Sequence, residues 1–261
     1  MPVDAALVGA LHVEYLAKRD LVGEGRPHHT LFQTSTIEAL LGGNYDGDVT
    51  FAELGARGDF GLGTLDALDG EMVALDGAFY QIKADGRAYP IDGLTRTPFA
   101  VVTFFEPGSP RTLPAPTDFA GLCAHVDRLV GETVACCAVR VEGRFEHVKT
   151  RSVPRQRKPY PPLVEVIEGQ STFELRDVMG SLVGFRFPDH ARGLNVPGYH
   201  FHFITDDRSS GGHVLACRMT RGELSVDREA DLRLELPPGV SLPVPGRAPE
   251  VDALNRVERE R

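Results

Sequence analysis

The chain has 261 residues, of which 42% are hydrophobic and 25% are charged, the composition of an ordinary globular protein. Its formal net charge of −9 argues against a nucleic-acid partner, because a basic surface would be needed to neutralise phosphates. No apolar run approaches the length of a membrane span, and Met1 to Ala10 lacks the basic start of a secretory signal. We therefore expect a cytoplasmic protein that does not bind membranes.

The first 29 residues are predicted to form an N-terminal extension to the main fold. Residues 5 to 18 have the apolar spacing of a short amphipathic helix, and residues 23 to 29 are polar and rich in turn formers. The main fold is expected to begin at Thr30. A strand is predicted over residues 31–36, followed by two short helices that end near Leu41 and Ala56, the first capped by Ser35 or Thr36.

Residues 58 to 149 predict a β-rich region that contains one longer helix. Asp69-Gly70 and Asp76-Gly77 are typical of tight turns between strands. The elements predicted beyond these turns are strands at 99–105, 134–141 and 145–149, with a turn at 142–144, and an amphipathic helix at 118–129.

The basic, proline-rich segment 150–162 predicts a stiff connector between two halves. We therefore expect two domains, one over residues 30–160 and one over residues 161–261. The arginines of this connector, Arg151 among them, are either solvated side chains or include one that binds an anionic substrate. The second half predicts the short strands of a barrel or sandwich, at 163–167, 171–178, 181–187, 199–204, 213–219 and 231–236.

Residues 198 to 215 contain three histidines whose spacing predicts a metal site. His200 and His202 point to the same face of a strand, because side chains alternate along it. Residues 205–212 predict a hairpin turn, after which His213 can return to that face. Three imidazoles with an open coordination position are typical of catalytic zinc. The pattern leaves hydration of carbon dioxide, cupin-type oxygenation and Lewis-acid decarboxylation open.

Several segments together resemble the α-acetolactate decarboxylase family, and the resemblance covers residues 30 to 261. The matching segments are Phe32-Gln33-Thr34-Ser35-Thr36, Gly58-Asp59-Phe60-Gly61-Leu62-Gly63-Thr64, Leu68-Asp69-Gly70-Glu71, Arg151-Ser152-Val153-Pro154, Asn195-Val196-Pro197-Gly198-Tyr199-His200-Phe201-His202-Phe203-Ile204-Thr205 and Ser210-Gly211-Gly212-His213-Val214-Leu215. The last two, with their histidines, are the most specific.

The resemblance implies an α+β fold of two domains, an N-terminal mixed β-sheet with helices and a C-terminal half-open antiparallel β-barrel, usually assembled as a homodimer. It implies a zinc ion held by His200, His202 and His213. It also implies three further site residues, which correspond to Glu71, Arg151 and a glutamate near the C-terminus. The best match for that glutamate is Glu258, and Glu260 is the neighbouring alternative. By residue type alone, Glu71 would be an exposed carboxylate at a strand edge.

The implied reaction is the zinc-dependent decarboxylation of 2-acetolactate to acetoin and carbon dioxide. Zinc would act as a Lewis acid on an enediolate intermediate, and Glu71 or Glu258 would transfer the proton. Arg151 would hold the carboxylate or lie near the proton that is delivered to the enediolate. A cupin-like oxygenase would need a glutamate shortly after the histidine pair, where this chain has Asp206 and Asp207 in a turn. A carbonic-anhydrase-like enzyme would need neither Arg151 nor a pair of carboxylates.

Overall fold

The computed structural model describes residues 12–15, 29–131 and 136–242, which form two large β-sheets, a two-stranded sheet of Val49–Thr50 and Arg96–Thr97, and four α-helices. In chain order the strands and helices are β1 (His12–Tyr15), β2 (Thr30–Thr34), α1 (Ile37–Leu41), β3 (Val49–Thr50), α2 (Phe51–Gly55), β4 (Phe60–Thr64), β5 (Glu71–Leu75), β6 (Ala78–Ile82), β7 (Ala88–Pro90), β8 (Arg96–Thr97), β9 (Ala100–Thr103), β10 (Arg111–Thr112), β11 (Thr117–Asp118), α3 (Phe119–Val130), β12 (Cys136–Ser152), α4 (Leu163–Val166), β13 (Ser171–Phe187), β14 (Gly198–Thr205), β15 (Gly211–Glu229) and β16 (Asp231–Glu235). Within these residues no helix has the length and apolar character needed to cross a membrane.

The first sheet is mixed and has eight strands in the order β1-β16-β2-β9-β4-β5-β6-β7. β16 pairs in parallel with β1 and β2, and the remaining neighbours are antiparallel. The combination of a mixed sheet with helices confirms the predicted α+β class.

The second sheet is antiparallel and is built on four strands that pair in a circuit. β15 pairs with β12, β12 with β13, β13 with β14, and β14 again with β15. β12 belongs to this sheet although it precedes residue 160, and β16 belongs to the first sheet although it follows it. The division into two domains at residue 160 and the half-open barrel remain predictions.

In two places where the sequence predicts two successive strands, the structure has one long strand. The turn predicted at 142–144 lies inside the 17-residue strand β12, and the strands predicted at 171–178 and 181–187 are joined in β13. A Cβ on Gly143 would lie 2.0 Å from the Arg221 carbonyl oxygen, and one on Gly180 would lie 2.4 Å from the Phe203 ring. These glycines permit close approach of neighbouring chain segments, and the strands continue through them.

Two other predicted elements are wrong. The helix predicted over residues 5–18 is a strand at His12–Tyr15, whose backbone pairs with β16, while the rest of that prediction lies outside the described residues. The strand predicted at 163–167 is the short helix α4, because the Pro162 carbonyl accepts bonds from the Glu165 and Val166 amides and starts a helical turn. Tertiary pairing overrides local propensity in the first case.

The largest core cluster lies between the two sheets. Phe60 of β4 contacts Phe185 of β13 with ring centroids 6.0 Å apart, and both rings are almost fully buried. α1 is attached to this core through its buried residues Ile37 and Leu40 and is capped by Thr36, whose hydroxyl accepts the Ala39 amide. The sheet-on-sheet packing brings the start of β5 against β14, where the predicted metal ligands lie.

Glu229, at the end of β15, is a buried carboxylate remote from the predicted metal ligands. Its side chain is 4% exposed, and burial together with the neighbouring Asp227 raises its pKa from 4.5 to about 8. Because the folded pKa lies above the unfolded one, the ionised group destabilises the fold, and stability is lost as the pH rises from 4.5 to about 8.

We therefore predict that Glu229→Gln raises the free energy of unfolding by about 2–4 kcal/mol at pH 8 and by much less at pH 4.5. Denaturant unfolding of both proteins at the two pH values measures this difference. Glu168→Gln, at an exposed position, is the matched control. Equal effects of Glu229→Gln at both pH values would contradict the prediction.

Candidate metal centre and active site

His200, His202 and His213 meet in one buried cluster, as predicted. His200 and His202 are two residues apart on β14, and His202 is paired across the hairpin with His213 of β15. On the opposite face of β14, Phe201 and Phe203 are buried in another core cluster, distinct from the one between the two sheets. The alternation of side chains along a strand requires this. Rigid paired strands therefore hold the three imidazoles.

The ring nitrogens of these histidines lie at distances that suit a shared metal ion. His200 Nε2 is 3.2 Å from His202 Nε2 and 3.1 Å from His213 Nδ1, and the three ligand atoms all lie within 4.8 Å of one another. Zn–N bonds of about 2.0–2.1 Å in a tetrahedron would set nitrogens about 3.3 Å apart. Among the described residues, this is the one group of histidine, cysteine or acidic side chains close enough to hold a metal.

The protonation of the cluster also suits metal binding. Burial, assisted by the positive charge of Arg151, lowers the pKa of His200 to about 3. Burial and the adjacent His200 hold the pKa of His202 well below its usual range. Neutral imidazoles keep the lone pairs that a metal requires. The donor set therefore fits zinc both in spacing and in charge.

The start of β5 supplies both an orienting contact and a carboxylate. His202 Nδ1 donates to the Met72 carbonyl at 2.8 Å, which leaves Nε2 unprotonated and turned toward the other two histidines. Glu71 Oε2 lies 3.5 Å from His202 Nε2, and Glu71 is 9% exposed. The interpretation from residue type, an exposed edge carboxylate, is wrong.

A tight turn fixes the position of Glu71. Gly70 has a φ of 87°, and a Cβ there would lie 2.2 Å from the Ile82 carbonyl oxygen, so that glycine is required. The Thr64 hydroxyl donates to the Gly70 carbonyl at 2.7 Å. β4, β5 and β6 therefore hold the carboxylate-bearing residue from both sides.

Arg151 lies at the end of β12 and not in the predicted stiff connector. It is paired with His213 on β15 and with Thr172 on β13, and it is 5% exposed. Its Nη1 donates to Gln170 Oε1 at 3.2 Å. Arg151 is the one arginine that is buried among the described residues. The alternative of a solvated side chain is excluded.

These groups line one cavity. Its polar wall consists of Thr64, Glu71, Arg151, His200, His202 and His213. Its apolar wall consists of Ile37 and Leu40 of α1, Leu163 of α4, and Leu68, Phe99 and Val153, which lie outside the strands. The arrangement places a metal-binding histidine cluster, a carboxylate and a guanidinium where they can contact one small polar ligand.

The structure brings five of the six predicted site residues together, and the sixth, Glu258, lies outside the described residues, as does Glu260. Sequence reasoning missed the Met72 carbonyl, Gln170 and the apolar wall. A backbone carbonyl has no signature in the sequence, and Gln170 is an ordinary polar residue ahead of a predicted strand. Thr64 stood in a matching segment but was given no role.

Comparison with known proteins agrees with the geometry. The sequence profile described as alpha-acetolactate decarboxylase matches residues 31–241. The chain is 51% identical over 213 residues to an alpha-acetolactate decarboxylase of Methylococcus capsulatus, covering 82% of each protein. It is 49% identical to that of Methanosarcina mazei, over 79% of this chain and 72% of the relative.

A solved structure supports the same relationship. The crystal structure of alpha-acetolactate decarboxylase from Bacillus subtilis strain 168 superposes with a TM-score of 0.83 at 35% identity, covering 88% of this chain and 100% of that one. The profile match spans all the residues that line the cavity. The chain therefore belongs to the alpha-acetolactate decarboxylase family.

Proposed function

We propose that this protein is a zinc-dependent decarboxylase that converts 2-acetolactate into acetoin and carbon dioxide. The observation that carries the proposal is one cavity that joins three buried histidines to Glu71 and Arg151. The substrate carries a carboxylate, which suits Arg151, and a hydroxyl and a ketone, whose oxygens suit a metal ion held by the histidines. The activity printed in the names of the relatives supports the same reaction.

His200, His202 and His213 are the residues that would hold the zinc ion. When bound, zinc supplies a Lewis acid that withdraws electron density from the hydroxyl and ketone oxygens of the substrate. Neutral imidazoles add no negative charge to the site, so the cation remains strongly polarising. The bond from His202 to the Met72 carbonyl keeps Nε2 available as a ligand.

Arg151 is the residue that we assign to the substrate carboxylate. Its guanidinium is planar and always charged, and its paired N–H groups match the two carboxylate oxygens. Burial at the end of β12 strengthens this attraction by excluding water. Arg151 would therefore fix the orientation of the bond that breaks as carbon dioxide leaves.

Glu71 is one of the two residues that we assign to proton transfer, and Glu258 is the other. The carbon that loses carbon dioxide must gain one proton to become acetoin, so a protonated group has to lie beside it. Glu71 is the carboxyl group that lines the described cavity. It lies close enough to the histidine cluster to reach a substrate held there.

The apolar wall has a complementary task. Leu40, Phe99 and Leu163 line the same cavity as the charged groups. A carboxylate loses its charge when it becomes carbon dioxide, and an apolar surface favours the neutral product. The substrate's methyl groups also fit such a wall.

We predict that the C-terminal tail completes the site through Glu258. Deletion of residues 256–261 should abolish decarboxylation while the fold and the zinc content are retained. Glu258→Gln should lower turnover by about 10²-fold, because it keeps the shape and loses the proton-transferring carboxyl. Turnover, zinc analysis and circular dichroism of each variant test this.

Glu260→Gln is the matched control for Glu258. An inactive Glu260→Gln enzyme beside an active Glu258→Gln enzyme would move the assignment by two residues. A fully active truncated protein would remove the tail from the mechanism.

The reaction is tested by measuring acetoin and carbon dioxide released from 2-acetolactate, with oxygen uptake and carbon dioxide hydration recorded alongside. We expect equal amounts of acetoin and carbon dioxide and no oxygen uptake. Oxygen consumption or hydration without acetoin would favour the cupin-like or carbonic-anhydrase-like alternative. We further propose that two copies form a homodimer and that the protein acts in the cytoplasm, for which light scattering and cell fractionation are the measurements.

A further inference from the structure

Arg151 differs in its partner from the arginines of this protein that form ion pairs. Arg140, Arg155, Arg186 and Arg218 all contact Asp or Glu side chains. Arg151 is more deeply buried than any of them, yet its described partner is the neutral amide of Gln170. The chain has 37 acidic residues against 28 basic ones, so carboxylates are abundant, yet the described partner of Arg151 is an amide.

The geometry points to Gln170 as a positioning residue that orients Arg151 and leaves its positive charge available for the substrate carboxylate. This inference rests on the proposed function, because it takes the ligand of Arg151 to be a carboxylate. A carboxylate at position 170 would neutralise the guanidinium before the substrate arrived. An amide accepts one N–H and adds no charge.

The backbone holds Gln170 firmly enough for this role. Its amide donates to the Ile167 carbonyl at 3.2 Å and closes the helical turn Ile167–Gly169, which is anchored by the buried Ile167 side chain. The next residue, Ser171, begins β13 and is paired with Ser152 of β12. Gln170 therefore stands one residue outside the strand ladder that carries Arg151.

The end of β12 is fixed from the other side as well. The Ser152 hydroxyl donates to the Ile82 carbonyl of β6 at 2.8 Å, which ties this strand end to the first sheet. With the Arg151 backbone fixed by β13, β15 and β6, the remaining freedom lies in its long side chain. One hydrogen bond from Nη1 restricts that freedom, and an oriented guanidinium loses less entropy when it binds.

The test compares wild type with Gln170→Glu and Gln170→Leu. Gln170→Glu keeps the size and the hydrogen bond but adds a negative charge, so KM for 2-acetolactate should rise about 10-fold or more while kcat changes by less than about 3-fold. Gln170→Leu removes the hydrogen bond without adding charge and should lower kcat/KM by about 3–10-fold. The two variants therefore separate charge from orientation.

A binding experiment avoids dependence on turnover. The probes are 2-hydroxy-2-methylpropanoate, which has the carboxylate and the hydroxyl but no ketone, and its neutral amide. Calorimetry should show that Gln170→Glu weakens binding of the acid about 10-fold. The affinity for the amide should stay within about 2-fold of wild type. Circular dichroism and thermal unfolding establish that each variant is folded.

Two results would overturn the inference. One is a folded Gln170→Glu protein with wild-type KM and wild-type affinity for the acid. The other is an equal loss of affinity for the acid and for the amide, which would indicate general distortion of the cavity. Wild-type protein that binds the acid but releases no acetoin would instead contradict the proposed function and leave the role of Gln170 supported by the probe pair.

Discussion

His202→Ala should lose most of the bound zinc and at least about 10³-fold in decarboxylase activity. The substitution removes one of three ligands from a buried cluster whose nitrogens are 3.1–3.2 Å apart in two of the three pairs. Loss of a group that merely orients a ligand already costs about 10–100-fold in metal affinity or activity, so loss of the ligand itself costs more. Metal analysis, zinc titration calorimetry and acetoin assay measure the effect.

Thermal unfolding gives a second measurement that does not depend on activity. A ligand that binds only the folded state stabilises it, so added zinc should raise the Tm of zinc-stripped wild type and not that of His202→Ala. His125→Ala, on α3 and outside the cavity, is the control and should behave as wild type. Full zinc content and full activity in His202→Ala would show that the histidine cluster is not the metal site.

Arg151→Lys should lower kcat/KM by about 10²-fold although the charge is kept. Lysine loses the planar pair of donors that matches a carboxylate and also loses the reach to Gln170. A misplaced substrate then reacts more slowly, because small errors in its orientation lower the rate strongly. Steady-state kinetics, zinc content and Tm of the variant are the measurements, and the last two should stay near wild type.

Arg155→Lys is the matched control for Arg151→Lys. Arg155 lies four residues along the chain, its side chain is 57% exposed, and it pairs with Asp66 outside the cavity. It should therefore keep wild-type kinetics. Wild-type kinetics in Arg151→Lys as well would remove Arg151 from substrate binding.

The histidine cluster could be predicted because its geometry is local. His200 and His202 share a face by the alternation of a strand, and a short turn returns His213 to the same level. The hydrophobic alternation around them also predicts which side chains are core. Glu71 and Met72 of the same site lie on β5. The hydrogen bond from His202 to the Met72 carbonyl spans 130 residues of the chain. Packing of one sheet on another has no local signal, so the residue type of Glu71 indicated an exposed carboxylate.

The errors in strand length have the same origin. Gly143 and Gly180 are typical of turns, yet each allows a neighbouring segment to approach within a long strand. Whether a glycine serves a turn or a close approach depends on the partner strand. Arg151 was assigned to a connector for a related reason, since the proline-rich stretch after it hides the end of β12.

The measurement that tests the central claim most directly is acetoin release from 2-acetolactate by purified protein before chelation, after removal of metal and after addition of zinc. The account predicts that activity is lost with the metal and returns with one zinc per chain, with one acetoin formed for each carbon dioxide. Undiminished acetoin release from fully metal-free protein would contradict it.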